Sequence, residues 1–171
     1  THAISYTPND YELYISRAQA RHALGKFGLA IADYDQTIAL QPTHFVAHYN
    51  RGLLRTFVGD LNNAILDFDY IIQVEPSNTL AIYNRAELRT KVGNYKGAIA
   101  DYTKLIRSYP NFYYGYLMRA QIRRKIGDVK GALNDETVVA RHNLASSGKG
   151  MTFGIANTEV NPPCAAAKLP V

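Results

Sequence analysis

The sequence predicts an all-α fold built from stacked antiparallel helix pairs, and one shared spacing predicts it. Prolines stand at Pro8, Pro42, Pro76 and Pro110, each 34 residues after the last. Glycines keep the same step at Gly25, Gly59, Gly93 and Gly127, and alanines at Ala30, Ala64, Ala98 and Ala132. A period shared by three residue types marks one supersecondary unit that has been copied and stacked. The composition of the 171-residue chain agrees: 47% hydrophobic and 19% charged residues suit a packed core rather than disorder.

Each element of the unit has its own logic. After each proline comes a residue able to cap a helix, in order Asn9, Thr43, Ser77 and Asn111. An amphipathic stretch follows and stops at the glycine, which can take the left-handed conformation that closes a helix. Asp60, Asn94 and Asp128 then stand where a second helix needs a cap, with Lys26 as the weak exception. That helix runs to the next proline, which cannot continue it. Ala18, Gly52, Ala86 and Ala120 on the first helix face the repeated alanines of the second, so the two backbones approach closely. Leu54, Leu88 and Ile122 fill the remaining space from the first helix, and Ile31, Ile65, Ile99 and Leu133 from the second.

The period, the small–small pair, the turn glycine, the aromatic at Tyr34, Phe68 and Tyr102 and the closing proline together resemble the tetratricopeptide-repeat (TPR) family. The resemblance covers four units, 11–44, 45–78, 79–112 and 113–146, and implies a right-handed superhelical solenoid with a non-repeat C-terminal tail at 147–171. The wording YNRGLLRTFVGDLNNAILDFDYIIQVEP and YNRAELRTKVGNYKGAIADY is similar to long bacterial TPR arrays, often exported ones. That likeness points to an exported or periplasmic setting and leaves a cytoplasmic one open.

Residues 1–10 read as the end of a preceding repeat, because Ala3, Ile4, Tyr6 and Pro8 stand in phase with Leu105, Ile106, Ser108 and Pro110; a short linker is the alternative. At the other end the fourth unit has Glu136 for the aromatic and Leu144 for the proline, and the SSGKG run breaks the helix. The tail is aperiodic, and it reads either as a flexible segment or as one lying over the last helix or in the groove. Its GKG at 148–150 lacks the strand, spacing and hydroxyl of a phosphate loop. Thr1 to Asp10 lack the layout of a signal peptide, although a leader removed ahead of Thr1 would leave no trace. No stretch approaches the roughly 18 apolar residues of a membrane span.

A net charge of +5 raises the question of nucleic acid. Yet eight of the eleven arginines occupy two repeat positions: Arg17, Arg51, Arg85, Arg119 and Arg21, Arg55, Arg89, Arg123. Four apart, they share one face of each first helix. Each second helix supplies an aspartate in phase, Asp33, Asp67, Asp101 and Asp135. The earlier arginine of each pair is expected to reach it, which makes most of the basicity structural and argues against a nucleic-acid partner.

The resemblance also implies where a partner binds. In TPR arrays first helices line the concave side, so their residues pointing away from the second helix are the candidate contacts: Tyr49, Asn50, Leu53, Tyr83, Asn84, Glu87, Lys91, Tyr114, Leu117, Met118 and Gln121. Tyrosines offer stiff amphipathic area, and asparagines can pair with peptide amides. Chaperone-binding TPR arrays clamp a C-terminal carboxylate with lysines, asparagines and an arginine. Here the lysine and arginine positions hold Ile15, Leu80 and Asn84 in one frame and Tyr49, Tyr114 and Met118 in the other, so that clamp for an acidic chaperone tail is absent. The cluster Phe112, Tyr113, Tyr114 and Tyr116 is too dense in aromatics to face the core entirely.

Catalytic chemistry has little support. His44 and His48 have a metal-compatible spacing, but no glutamate lies between them and His48 holds a bulky packing position. Cys164, the single cysteine, rules out an intrachain disulfide and has no evident histidine partner. The repeated aspartates come one per unit, which does not suit acid–base work. The sequence therefore reads as a non-enzymatic scaffold without metal or cofactor, binding an unidentified protein or peptide. Weak self-association through the array ends and, less favoured, nucleic-acid binding are the alternatives.

Overall fold

The structure, a computed structural model of the chain, describes residues 10–147. The expectations for residues 1–9, the tail and Cys164 lie outside the described residues. Eight helices and no strand are found among the described residues: α1 (Tyr11–Ala23), α2 (Phe27–Leu40), α3 (Phe45–Phe57), α4 (Leu61–Val74), α5 (Thr79–Lys91), α6 (Tyr95–Ser108), α7 (Tyr113–Lys125) and α8 (Val129–Ser147). The chain divides into two compact units between Ala81 and Ile82, inside α5. The fold is an all-α helical repeat, two helices to each 34-residue period.

The turns follow from their residues. Gly25, Gly59, Gly93 and Gly127 all have φ between 71° and 86°, a region costly for any residue with a Cβ. The left-handed step lets the next amide reach back five residues, as Lys26 N does to Arg21 O and Asp60 N to Arg55 O, both at 2.8 Å. Between hairpins, Pro42 and Thr43 are the central pair of a tight turn closed by His44 N to Gln41 O at 3.0 Å.

That turn corrects the expected caps. Thr43, Ser77 and Asn111 lie within turns, and the capping position falls one residue later. His44 Nδ1 accepts from the Ala47 amide at 3.2 Å and Asn78 Oδ1 from the Ala81 amide at 2.9 Å. Asp10 accepts from the Glu12 amide, while Phe112 has no capping side chain. On the second helices Asn94 and Asp128 accept from Gly97 N and Gly131 N. Asp60 does not cap, because its carboxylate is taken by the Asn63 side-chain amide at 2.9 Å.

In the first unit, Ala18, Ala30, Tyr34, Ala47 and Leu54 form a buried cluster, with Phe27, Ile31 and Ile38 packed on it. The close approach at the small positions is visible at Gly52, where an added Cβ would stand 3.1 Å from Phe68 Cζ. In the second unit Ala86, Leu88, Ala98, Tyr102, Leu105 and Ile122 are buried in the same phase. Leu133 departs from expectation at 58% exposed, while the isoleucines before it are at least partly buried. It lies on the last described hairpin, where Glu136 has also replaced the core aromatic.

The four aspartates tie each pair of helices together. Arg17 Nη2 meets Asp33 Oδ1 at 2.6 Å, and Arg119 meets Asp135 through the same atoms at 2.6 Å; Arg51–Asp67 and Arg85–Asp101 do so at 2.5 Å. The second arginine of each pair joins the other carboxylate oxygen: Arg21 at 2.6 Å, Arg55 and Arg89 at 2.8 Å, and Arg123 at 2.9 Å. The sequence suggested only the earlier arginine. A third guanidinium nitrogen reaches the preceding hairpin, as Arg51 Nη1 does to Asp35 Oδ1 at 2.6 Å and Arg119 Nη1 to Thr103 Oγ1 at 2.9 Å. Asp35 and Thr103 are in phase, on α2 and α6, so these arginines each bind three helices.

Burial alone would push the Asp67 carboxyl up, but hydrogen bonds from His48 and Arg51 and the charges of Arg51 and Arg55 hold it below the ordinary aspartate range. A carboxyl depressed in the fold stabilises fully above its unfolded value, about 3.9, and the contribution is lost as pH falls through the lower folded value. Asp67→Asn should therefore cost about 3 kcal/mol in urea unfolding at pH 7, by leaving buried guanidinium groups without their counter-charge. The gap from the unsubstituted protein should shrink on acidification below about pH 4. A gap that is constant with pH would contradict the ion-pair assignment.

Candidate functional site

The arginine-bearing face of each first helix turns toward its second helix, so candidate contacts must come from its remaining faces. In the first unit Tyr49 on α3 lies parallel to Phe45 at 6.3 Å and edge-on to the buried Phe68 at 5.9 Å. Leu53, one turn on, is half-buried. Asn50 sits deeper than a contact residue should: it is 7% exposed, near the buried Tyr34 phenol. Burial pushes the Tyr34 phenol up, opposed by Asn50 and assisted by the charge of Asp33.

In the second unit Tyr83 and Glu87, one turn apart on α5, meet the start of α7. Tyr83, Phe112 and Tyr114 form a ring cluster, with centroids 6.1 Å apart for two pairs and 6.2 Å for the third. Phe112 is buried at its base, and Tyr83 and Tyr114 are half-buried. Tyr102, wholly buried on α6, donates its hydroxyl to Glu87 Oε1. Burial first, and then the charge of Glu87, push the Tyr114 phenol up. Asn84 is half-buried and engaged, Met118 is half-buried, and Lys91 and Gln121 are exposed.

Further along α7, Tyr113 stacks on His142 of α8 at 3.7 Å. Tyr113, Tyr114, Leu117, Val139, His142 and Asn143 line a cleft of about 260 Å³. Leu117 is 41% exposed there. Of the aromatic cluster expected to show at the surface, Phe112 is buried, while Tyr113, Tyr114 and Tyr116 are half-buried. Tyr116 lies under the Arg119 guanidinium at 5.6 Å.

The two histidines at metal-compatible spacing serve packing. His44 caps α3, and His48 is buried, stacked on Tyr70 at 4.0 Å, with its Nε2 donating to the Pro42 carbonyl at 3.0 Å. Among the described residues no group of three or more His, Cys, Asp or Glu side chains is placed to hold a metal ion. None of the described helices is long and apolar enough to cross a membrane.

Sequence reasoning missed the Tyr102–Glu87 bond and the inter-hairpin role of Asp35. The first had a signal. Glu87 is a carboxylate in phase with Gln19, Leu53 and Gln121, and Tyr102 has a hydroxyl where Phe68 has none.

The family model described as Tetratricopeptide repeat matches residues 11–44 and 80–112. The chain is similar to that family over these two stretches. Comparison with curated proteins gave no match. Among solved structures, this chain is similar to MamA (residues 41 to the end) from Desulfovibrio magneticus RS-1, at 19% identity over 84% of this chain and 81% of that one, with a TM-score of 0.70. It is similar to YrrB, described as a TPR protein with an unusual peptide-binding site, at 18% identity over 82% and 72% with a TM-score of 0.67. A TPR protein from Parabacteroides merdae aligns at 28% identity over 81% of this chain and 55% of that one, with a TM-score of 0.58. TPR proteins are typically non-enzymatic, and the fold implies an interaction scaffold in general.

The Tyr102 hydroxyl generates a titration test. Burial first, and then the hydrogen bond and charge of Glu87, push its pKa far above the ordinary phenol value. For a raised folded value the stabilisation is complete below the unfolded value, about 10, and is lost as pH rises through the folded one. In an alkaline titration followed by phenolate absorbance, Tyr102→Phe should subtract signal only from the late phase that accompanies unfolding. Signal lost from the phase near pH 10 would contradict the buried bond.

Proposed function

We propose that this chain is a non-enzymatic scaffold that takes a peptide or partner protein on the first-helix faces left uncovered by its hairpins. The observation that carries this reading is the division of each first helix. The arginine positions are committed to aspartates, while Tyr83, Glu87, Tyr114, Leu117 and Gln121 of the second unit keep exposed surface beside an apolar cleft. Amphipathic tyrosines around an apolar centre have the make-up of a recognition surface. In the first unit Tyr49 and Leu53 offer a smaller patch, and the burial of Asn50 argues for a positioning role there. The peptide site of YrrB, in a fold this chain shares, supports the same use of the repeat.

A second reading, self-association, is favoured by a specific feature: Val129, Leu133 and Leu144 on α8 are each more than half exposed. Light scattering separates the two, since a scaffold of the first kind stays monomeric across concentration and the second does not. Nucleic acid is disfavoured because the eight repeated arginines already hold carboxylates.

The test begins with capture from the source cell on the full chain, followed by titration of the purified partner against Tyr83→Ser/Leu117→Arg. Affinity should fall at least about tenfold, with the thermal transition of the variant close to that of the unsubstituted chain. Unchanged affinity would remove this surface from the account.

A further inference from the structure

Glu87 is a carboxylate of the first helices that the arginines of the hairpins leave out. Asp33, Asp67, Asp101 and Asp135 each meet two guanidinium groups, and the more exposed Asp35, Asp60, Asp128 and Glu136 each meet at least one. Glu87 is held differently. It accepts from the Tyr102 phenol, the Tyr114 phenol lies within reach of its charge, and no lysine, arginine or histidine among the described residues is ion-paired with it. Lys91, one turn along the same helix, is exposed and makes no ion pair.

Phenol donors satisfy a carboxylate's lone pairs but leave its charge in place. At a half-buried position that charge is screened less than at an open surface, so its field on an approaching group is stronger. Tyr83 and Tyr114 border the same spot, and aromatic faces carry the negative end of the ring quadrupole. Carboxylate and ring faces both favour a cation. An ammonium or guanidinium on a flexible stem suits the place as well, since the stem can pack on Leu117 and the ring edges while the head meets the acid.

We propose that Glu87, with Tyr83 and Tyr114, receives a lysine or arginine side chain of the bound peptide. This rests on the scaffold reading above and names the chemistry of the partner at that site. Tyr102 acts as a positioning residue: from its buried place it fixes the carboxylate toward the rings. The partner is a protein segment with a basic residue flanked by apolar ones, the apolar neighbours seating toward Leu117 and the cleft between α7 and α8. The chain thus prefers a basic segment despite its own charge of +5.

The test uses the full chain and four pools of labelled octapeptides, N-acetylated and C-amidated. One position is fixed as Lys, Arg, Gln or Glu, and the others are randomised among uncharged residues. By fluorescence anisotropy the Lys and Arg pools should bind at least about tenfold more tightly than the Gln pool, with the Glu pool weakest. Glu87→Gln keeps an acceptor for Tyr102 and removes only the charge. It should erase the preference for Lys and Arg while leaving affinity for the Gln pool and the melting temperature unchanged. Equal binding of the basic and Gln pools, or a preference that survives in Glu87→Gln, overturns the proposal and leaves the scaffold reading intact. Absence of binding by every pool overturns both.

Discussion

Each hairpin depends on an aspartate, buried in the second helix, that gathers two guanidinium groups from the first. Apolar packing alone would let two helices slide, because alanine and glycine surfaces carry little that fixes register. A carboxylate bonded at both oxygens from positions four apart admits one register only. Arginine is required for this geometry: its planar fork gives several donors in fixed directions, where a lysine would give a single charged point. The third nitrogen, reaching Asp35 in one unit and Thr103 in the other, carries the same constraint from hairpin to hairpin. Further carboxylates join these clusters, Asp35 and Asp60 beside Arg55 and Asp128 beside Arg123. The repeated guanidinium charges are fixed to internal partners, so they describe the scaffold more than its partner.

Most of the fold could be read from spacing. Residues whose role is steric repeat strictly: the small pair that lets backbones meet, the glycine that must reach positive φ, and the proline that begins a turn. Roles that several residue types can fill were read less well. The capping position fell one residue past Thr43, Ser77 and Asn111 because proline and its successor are both consumed by the turn, and a histidine can cap where a serine was expected. Leu133 keeps its phase but not its burial, because a repeat period fixes the face a residue occupies and not what covers it.

The candidate site was less readable, for a physical reason. Periodicity tells which helix face a residue occupies but not what a long side chain finds there. Asn50 and Asn84 share a repeat position, yet Asn50 is buried and Asn84 only half so. Glu87 looked like one polar residue among several in its phase. Its distinction comes from a hydroxyl on α6 and a ring on α7, both distant in sequence. The two units thus differ most where they resemble each other least in sequence, in the phenols and acids that border the first helices.

The central claim is that the repeated arginines are locked in place rather than displayed. The most direct measurement is nitrogen-15 NMR of the guanidinium groups at neutral pH. Arg17, Arg51, Arg85 and Arg119 should show resolved, exchange-protected Nε–H and Nη–H resonances with slow rotation about the Nε–Cζ bond. Arg107 on α6 and Arg141 on α8, both exposed and outside the two repeated arginine positions, should show averaged ones. Averaged signals for all of them would contradict the claim and return these charges to the surface.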